Sequence, residues 1–311
     1  AAAGVYTAVF FGTNALDRWG IEPSLWTTRG NGFLLNFTVC LRYSQVDEPE
    51  GYSEEALDAL AVRIDQEQEE QSSLTGSLTQ GEDTVPVNII VIMGESFSDL
   101  TVAGDFETNE DAMPYLHALT ENTVKGNAYV SVFGGTTANS EYEFLTGNTT
   151  AFLPAGAVPY QLYVNDSAVA LPQQMSDLGY RTVAMHPYYS SGWNRVAVYE
   201  DFGFDEVHFL SDFTDTDTMR GYVTDQSDYE NLIRLYEEKE PGEKLFLFNV
   251  TMQNHSGYSV PWTGLERTVW LTGEYQGRYS TVDQYLSLMR QSDQAVEYLL
   301  AYFSQVEEPT L

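Results

Sequence analysis

From about residue 85 onward, apolar residues fall into short runs bounded by glycine, proline and polar clusters, and these runs alternate with segments of helical spacing. The run Asn88 to Met93 sits between Pro86 and Gly94. It is too short to cross a membrane and reads as a strand buried on both faces, the pattern of a parallel sheet. Further strands are predicted at Lys125 to Val132, Thr182 to Met185 and Leu245 to Thr251. Helical spacing predicts helices at Met113 to Glu121, Glu141 to Leu145, Leu171 to Leu178, Tyr229 to Glu238 and Tyr285 to Phe303. Pro114 near a helix start and Gly179 just past a helix end are the expected punctuation. Strands alternating with helices predict an α/β fold, a mostly parallel sheet sandwiched by helices.

The chain upstream has a different texture. Residues 1–64 read as an N-terminal arm with helical pieces, including the apolar stretch Gly32 to Cys40. That arm either packs on the main domain or serves as a juxtamembrane connector near a bilayer. Residues 65–84, rich in Gln, Glu, Ser, Thr and Gly, read as a mobile polar linker, which leaves 85–311 as the main domain. With 311 residues, 43% hydrophobic and 14% aromatic, the chain can bury a core large enough for one α/β domain and an appendage.

Charge narrows the partners. Lys and Arg number 14 against 46 Asp and Glu, a net charge of −32, which repels nucleic acid. Part of that charge belongs to a solvated segment, because Asp47 to Asp83 holds twelve carboxylates against Arg63 alone. Cys40 is the single cysteine, so there is no intrachain disulfide and no cysteine zinc site. No run of about 20 apolar residues occurs, and the opening Ala1 to Phe11 lacks the charged start of a signal peptide.

Candidate chemistry gathers at predicted strand ends. Glu95 follows the strand Asn88 to Met93, where open α/β sheets place their ligands, and is a candidate metal ligand. The segment Phe133 to Gly147 sets Thr136 and Thr137 on the Gly134-Gly135 hinge, just before a helix expected to start near Asn139 or Ser140. Free N–H groups of that first turn would face an anion such as phosphate. Either threonine is then a candidate nucleophile, activated by a divalent ion shared with Glu95. The bland alternative is a turn that opens a capped helix. His186 and His255 both lie just past predicted strands, whereas His117 and His208 have ordinary settings. Arg195 offers a planar fork for phosphate oxygens, against the alternative of a surface ion pair. Trp193 by itself reads as core.

In combination, Met93-Gly-Glu-Ser-Phe97, Phe133 to Gly147 and His186-Pro-Tyr-Tyr-Ser-Ser-Gly-Trp-Asn-Arg195 resemble the sulfatase-type lipoteichoic acid synthases of Gram-positive bacteria. These are phosphoglycerol transferases of the alkaline phosphatase-like superfamily. The similarity runs from about Val85 onward, and Asn31 to Asn36 and Glu50 to Glu55 are similar to the segment after the last membrane helix of such proteins. The resemblance implies an alkaline phosphatase/sulfatase-like fold and a domain on the extracellular face of a bacterial membrane. It implies Glu95 as metal ligand, Thr137 as nucleophile and second ligand, and His186, Trp193, Arg195 and His255 as the substrate pocket, with Mn²⁺ or Mg²⁺ as cofactor. Thr136 stands where relatives often carry a third glycine, which leaves the register of the nucleophile open by one residue. The implied reaction takes phosphatidylglycerol as donor, passes through a phosphothreonine, and delivers glycerophosphate to a polymer or glycolipid.

The chain departs from this pattern in one respect. The family completes its metal site with an Asp-His pair after a later strand, and no Asp-His dipeptide occurs here. The resemblance therefore implies a catalytic domain incomplete at its C-terminus, with poor metal retention and weak or absent activity. Two alternatives stand beside the transferase. One is a phosphodiesterase or sulfatase of the same fold, although the sulfatase Cys/Ser-X-Pro-X-Arg context is missing. The other is a noncatalytic cell-wall binding domain.

Overall fold

The computed structural model describes residues 2–13, 15–19, 21, 32–44, 46, 51–75, 85–132, 134–154, 156–258, 262 and 264–311. The chain divides into two units, Ala1–Val85 with Phe152–Ala157, and Pro86–Ala151 with Val158–Leu311. The first contains α1 (Ala2–Gly12), α2 (Phe33–Tyr43) and α3 (Glu54–Thr75). Leu16, Val39 and Tyr43 form its small buried cluster, with Phe10, Ile21 and Leu35 packed around them. The other side of α2 leaves Phe33, Leu34, Phe37 and Leu41 at least half exposed.

The expected linker is corrected over its first half. Residues up to Thr75 are helical, because Glu and Gln are strong helix formers, Ser53 Oγ accepts from the Ala56 N–H at 3.1 Å near the helix start, and Arg63 pairs with Glu67 one turn on. The rest of it, 76–84, lies outside the described residues.

The second unit is built on four parallel strands in the order β1-β6-β2-β3: β1 (Asn88–Met93), β2 (Tyr180–His186), β3 (Glu206–Phe209) and β6 (Lys244–Val250). A small antiparallel hairpin, β4 (Thr218–Met219) with β5 (Tyr222–Val223), lies between β3 and β6 in sequence. Strand β6 shows why both sheet faces need cover. Phe246, Phe248 and Val250 enter one cluster with Ala184, Tyr199 and Phe202, while Leu245 and Leu247 enter a second with Val183, Leu232 and Leu299. Period-two alternation with apolar residues on both sides demands helices on both sides.

Those helices are α4 (Thr137–Thr146), α5 (Leu171–Asp177) and α6 (Arg195–Asp201) toward the first cluster, and α7 (Asp225–Glu237) and α8 (Ser280–Phe303) toward the second. The C-terminal residues run beside β1, with Val87 N–H donating to Pro309 O at 2.8 Å and Leu311 N–H to Asn88 O at 2.9 Å. The predicted mostly parallel sheet between helices is observed. The predicted strand at Lys125 to Val132 is not, since no regular structure occurs over 123–132. Its apolar residues find no core: Val124, Tyr129 and Val130 are exposed.

Candidate active site

Glu95 and His255 follow the carboxyl ends of the parallel strands β1 and β6, and His186 is the last residue of β2, not past its end as predicted. Gly94 makes the exit from β1 possible, because a Cβ there would lie 2.7 Å from Phe97 Cβ. Glu95 is almost fully buried. Its backbone N–H donates to Thr251 Oγ1 at 3.0 Å, and its carboxylate accepts from Ser96 Oγ at 2.9 Å. The remaining oxygen, Oε2, accepts from Thr137 Oγ1 at 2.9 Å.

Helix α4 begins at Thr137, two or three residues before the expected start, so that hydroxyl projects from the first turn, where N–H groups have no intrahelical acceptor. Gly134, Gly135 and Thr136 enter this turn at φ 68°, 67° and 56°. Thr136, not Thr137, is thus the left-handed residue.

Four residues after Thr137, on the same helix face, Glu141 is fully buried and receives Arg195 in a two-point bond, Nε to Oε2 at 3.1 Å and Nη2 to Oε1 at 2.5 Å. Tyr199 Oη donates to the same carboxylate at 2.7 Å. Burial works to raise the Glu141 carboxyl, but the Arg195 charge and the bonds from Arg195 and Tyr199 outweigh it and hold it below its ordinary value. Arg195 is therefore neither a surface ion pair nor a free fork. Two of its guanidinium nitrogens are committed inside the protein.

His186 donates from Nδ1 to the Val250 carbonyl at 2.8 Å. Burial, then the neighbouring Arg195 charge, push it down to about 4, so the ring is neutral at physiological pH with Nε2 as acceptor. His255 is held differently. Its Nδ1 lies 3.2 Å from Tyr222 Oη, and its carbonyl accepts from Arg220 Nη2 at 3.1 Å. Its ring is 5.2 Å from that of Tyr222, which is 6.0 Å from Tyr188, itself 6.2 Å from His186. Trp193 packs against the core cluster and sits at φ 56°, next to Asn194 at φ 61°. Among the described residues, Ser96, Thr136, Trp193, Asn194 and Arg220 account for most of the non-glycine residues with positive φ, so backbone strain collects beside the candidate site residues.

Sequence reasoning missed Glu141, Tyr199, Thr251 and the floor below them. Asp225, buried at the start of α7, bonds the Thr251 hydroxyl, accepts from Ser292 Oγ at 2.5 Å and is pushed up to about 6 by burial. The available signal for Glu141 was a carboxylate on the apolar face of a predicted helix. His117 and His208 lie beside carboxylates, Asp111 and Asp99 for the first and Glu206 for the second.

Glu95 and Thr137 present two hard oxygens at one point, a donor set that fits part of a Mn²⁺ or Mg²⁺ shell. Among the described residues no group of three His, Cys, Asp or Glu side chains could hold a metal ion. No described helix is long and apolar enough to cross a membrane.

The sequence profile of the sulfatase family matches residues 87–311. The chain belongs to the sulfatase family. A Rhizobium meliloti (strain 1021) relative of this sulfatase-family chain, named for cyclic beta-1,2-glucan modification, is 30% identical over 95% of the chain and 44% of its own length. Lipoteichoic acid synthase 1 of Bacillus subtilis (strain 168) is 25% identical over 72% of the chain and 34% of its own length. The chain thus spans less than half the length of these curated relatives. Among solved structures, the Streptococcus pyogenes phosphoglycerol transferase GacH in complex with sn-glycerol-1-phosphate superposes with a TM-score of 0.68 at 21% identity, covering 85% of this chain and 68% of that one. That likeness shows the alkaline phosphatase-like fold.

Proposed function

We propose that this sulfatase-family chain carries the donor-cleaving face of a metal-dependent phosphoglycerol transferase on the outer side of a bacterial membrane. The observation that carries the reading is the 2.9 Å bond from Thr137 Oγ1 to Glu95 Oε2, at the opening of a helix and the edge of a parallel sheet. Relatives named as lipoteichoic acid synthases support this kind of chemistry. A divalent cation held by Glu95 and Thr137 would lower the hydroxyl pKa and polarise the phosphoryl oxygen.

The chain's own groups supply the rest. Glu95 fixes the Thr137 hydroxyl, which attacks the phosphorus of phosphatidylglycerol. The phosphorus–oxygen bond to diacylglycerol breaks, the proton given up by Thr137 ends on the diacylglycerol oxygen, and glycerophosphate stays on Thr137. An acceptor hydroxyl then takes the glycerophosphate and frees the threonine. The N–H groups of the first turn of α4 face charge that builds on the phosphoryl oxygens. Neutral His186 suits a glycerol hydroxyl better than an anion, because its Nε2 accepts. Arg195, neutralised in part by Glu141, adds field to the pocket and one remaining nitrogen, Nη1. The acceptor is a glycerophosphate polymer, a glycolipid or a glycan, the last favoured by the name of the relative aligned over 95% of the chain.

Release of diacylglycerol from fluorescent phosphatidylglycerol tests this, measured with Mn²⁺ on the chain and on a form extended to the length of its relatives. The extended form is expected to release diacylglycerol, to lose at least 100-fold of that rate in Thr137→Ala, and to keep most of it in Thr136→Ala. Equal release with and without any acceptor would support the hydrolase instead. Unchanged release in Thr137→Ala would refute the proposal.

A further inference from the structure

Beyond the ends of β2 and β6, aromatic rings stand in a continuous row. The His186 and Tyr188 rings are 6.2 Å apart, Tyr188 and Tyr189 4.8 Å, Tyr188 and Tyr222 6.0 Å, and Tyr222 and His255 5.2 Å. The row is anchored: Tyr188 N–H donates to His186 O at 2.7 Å, Tyr188 O accepts from Leu210 N–H at 3.0 Å, and Tyr222 belongs to the β4–β5 hairpin. Tyr189 is 62% exposed, and Tyr188 and Tyr222 are half-buried. In the strand order, β6 and β2 are the first and second neighbours of β1, so the row starts about 5–10 Å across the sheet edge from Glu95. That is the reach of one glycerophosphate or one sugar ring.

Charge near this row is acidic or already paired, Arg195 beside His186 being bonded to Glu141. The segment between β3 and β4 carries Asp212, Asp215 and Asp217, all exposed. Arg220, in the turn between β4 and β5, has its guanidinium occupied by the His255 and Gly257 carbonyls at 3.1 and 3.0 Å and by the Tyr258 face at 5.2 Å. A protein of net charge −32 with such a rim repels a chain of repeated phosphates. Tyrosine rings, in contrast, offer a negative π-face to the electropositive C–H face of a pyranose, and a hydroxyl to its edges.

We propose that Tyr188, Tyr189 and Tyr222 form the acceptor subsite, and that it takes the ring of an uncharged glycan and excludes a polyglycerophosphate chain. The acceptor role rests on the transferase reading above; the glycan binding does not. Saturation-transfer NMR and calorimetric titration of the chain with cyclic beta-1,2-glucan and, separately, with a glycerophosphate oligomer test it directly. The glucan is expected to bind and the oligomer to bind more weakly. Tyr189→Ala, at an exposed ring, is expected to weaken glucan binding about 3- to 10-fold with an unchanged melting temperature, and Tyr189→Phe to restore it. Equal glucan binding in Tyr189→Ala, or tighter binding of the oligomer, would overturn the subsite. Glucan binding that depends on Tyr189 with no diacylglycerol release from the extended form would leave the subsite standing and remove the transferase. Release together with glucan transfer that ignores Tyr189→Ala would do the reverse.

Discussion

Thr136 holds φ 56° and ψ 46°, a left-handed conformation that a β-branched side chain resists at a cost of about 1–3 kcal/mol. Glycine removes that strain but loosens the unfolded chain by up to about 1 kcal/mol. Thr136→Gly is therefore expected to raise stability by about 1 kcal/mol in a denaturant titration, while Thr137→Gly gains nothing of the kind. The same geometry separates the two hydroxyls that the Gly-Gly-Thr-Thr stretch left in doubt by one residue. His186 gives a second residue-scale prediction. Its folded pKa of about 4 lies below the ordinary 6.5, so the unfolded chain binds the extra proton first. Its stabilising contribution is complete above pH 6.5 and is lost as pH falls toward 4, by up to about 3 kcal/mol. His186→Gln should lose less stability than the parent between pH 7 and 4.5, and parallel losses in the two proteins would contradict the buried neutral ring.

At the scale of elements, the Arg195–Glu141 pair ties α6 to α4 beneath the site. Removing one partner strands a buried charge, and Arg195→Ala is expected to destabilise the fold by about 3–5 kcal/mol in chemical unfolding. Lost ligand binding in that variant would therefore report unfolding as readily as a missing contact. A change below about 1 kcal/mol would contradict the buried pair.

The strands at Asn88, Thr182 and Leu245 were legible in sequence because both of their faces are apolar and each is bounded by turn residues. Strand β3, four residues with His208 and Glu206 among them, carries too little apolar signal to be found by pattern. Lys125 to Val132 failed for the opposite reason. It has the apolar residues of a strand, yet Val124, Tyr129 and Val130 are exposed and the segment pairs with no described strand, and local pattern cannot report whether a partner is in place. Glu95, Thr137, His186 and His255 could be named because they sit at strand ends or on a glycine hinge. Glu141, Thr251 and Asp225 could not, since their roles depend on partners 54, 156 and 67 residues away.

For the whole molecule, the sulfatase match and the parallel sheet set the expectation of a metal-assisted reaction, and the described residues supply two oxygens toward it. Two ligands hold a hard cation poorly. Calorimetry of Mn²⁺ with this chain is expected to show a dissociation constant of about 1 mM or weaker, and further weakening in Glu95→Gln. Micromolar binding by this chain would contradict the two-ligand account.

The most direct test of the central claim is mass spectrometry of the extended form after brief exposure to phosphatidylglycerol and Mn²⁺. The account predicts a glycerophosphate adduct on the peptide that contains residues 136 and 137, located at Thr137 by fragmentation and absent in Thr137→Ala. An adduct at Thr136 or on any other side chain, or diacylglycerol release that persists in Thr137→Ala, would contradict it.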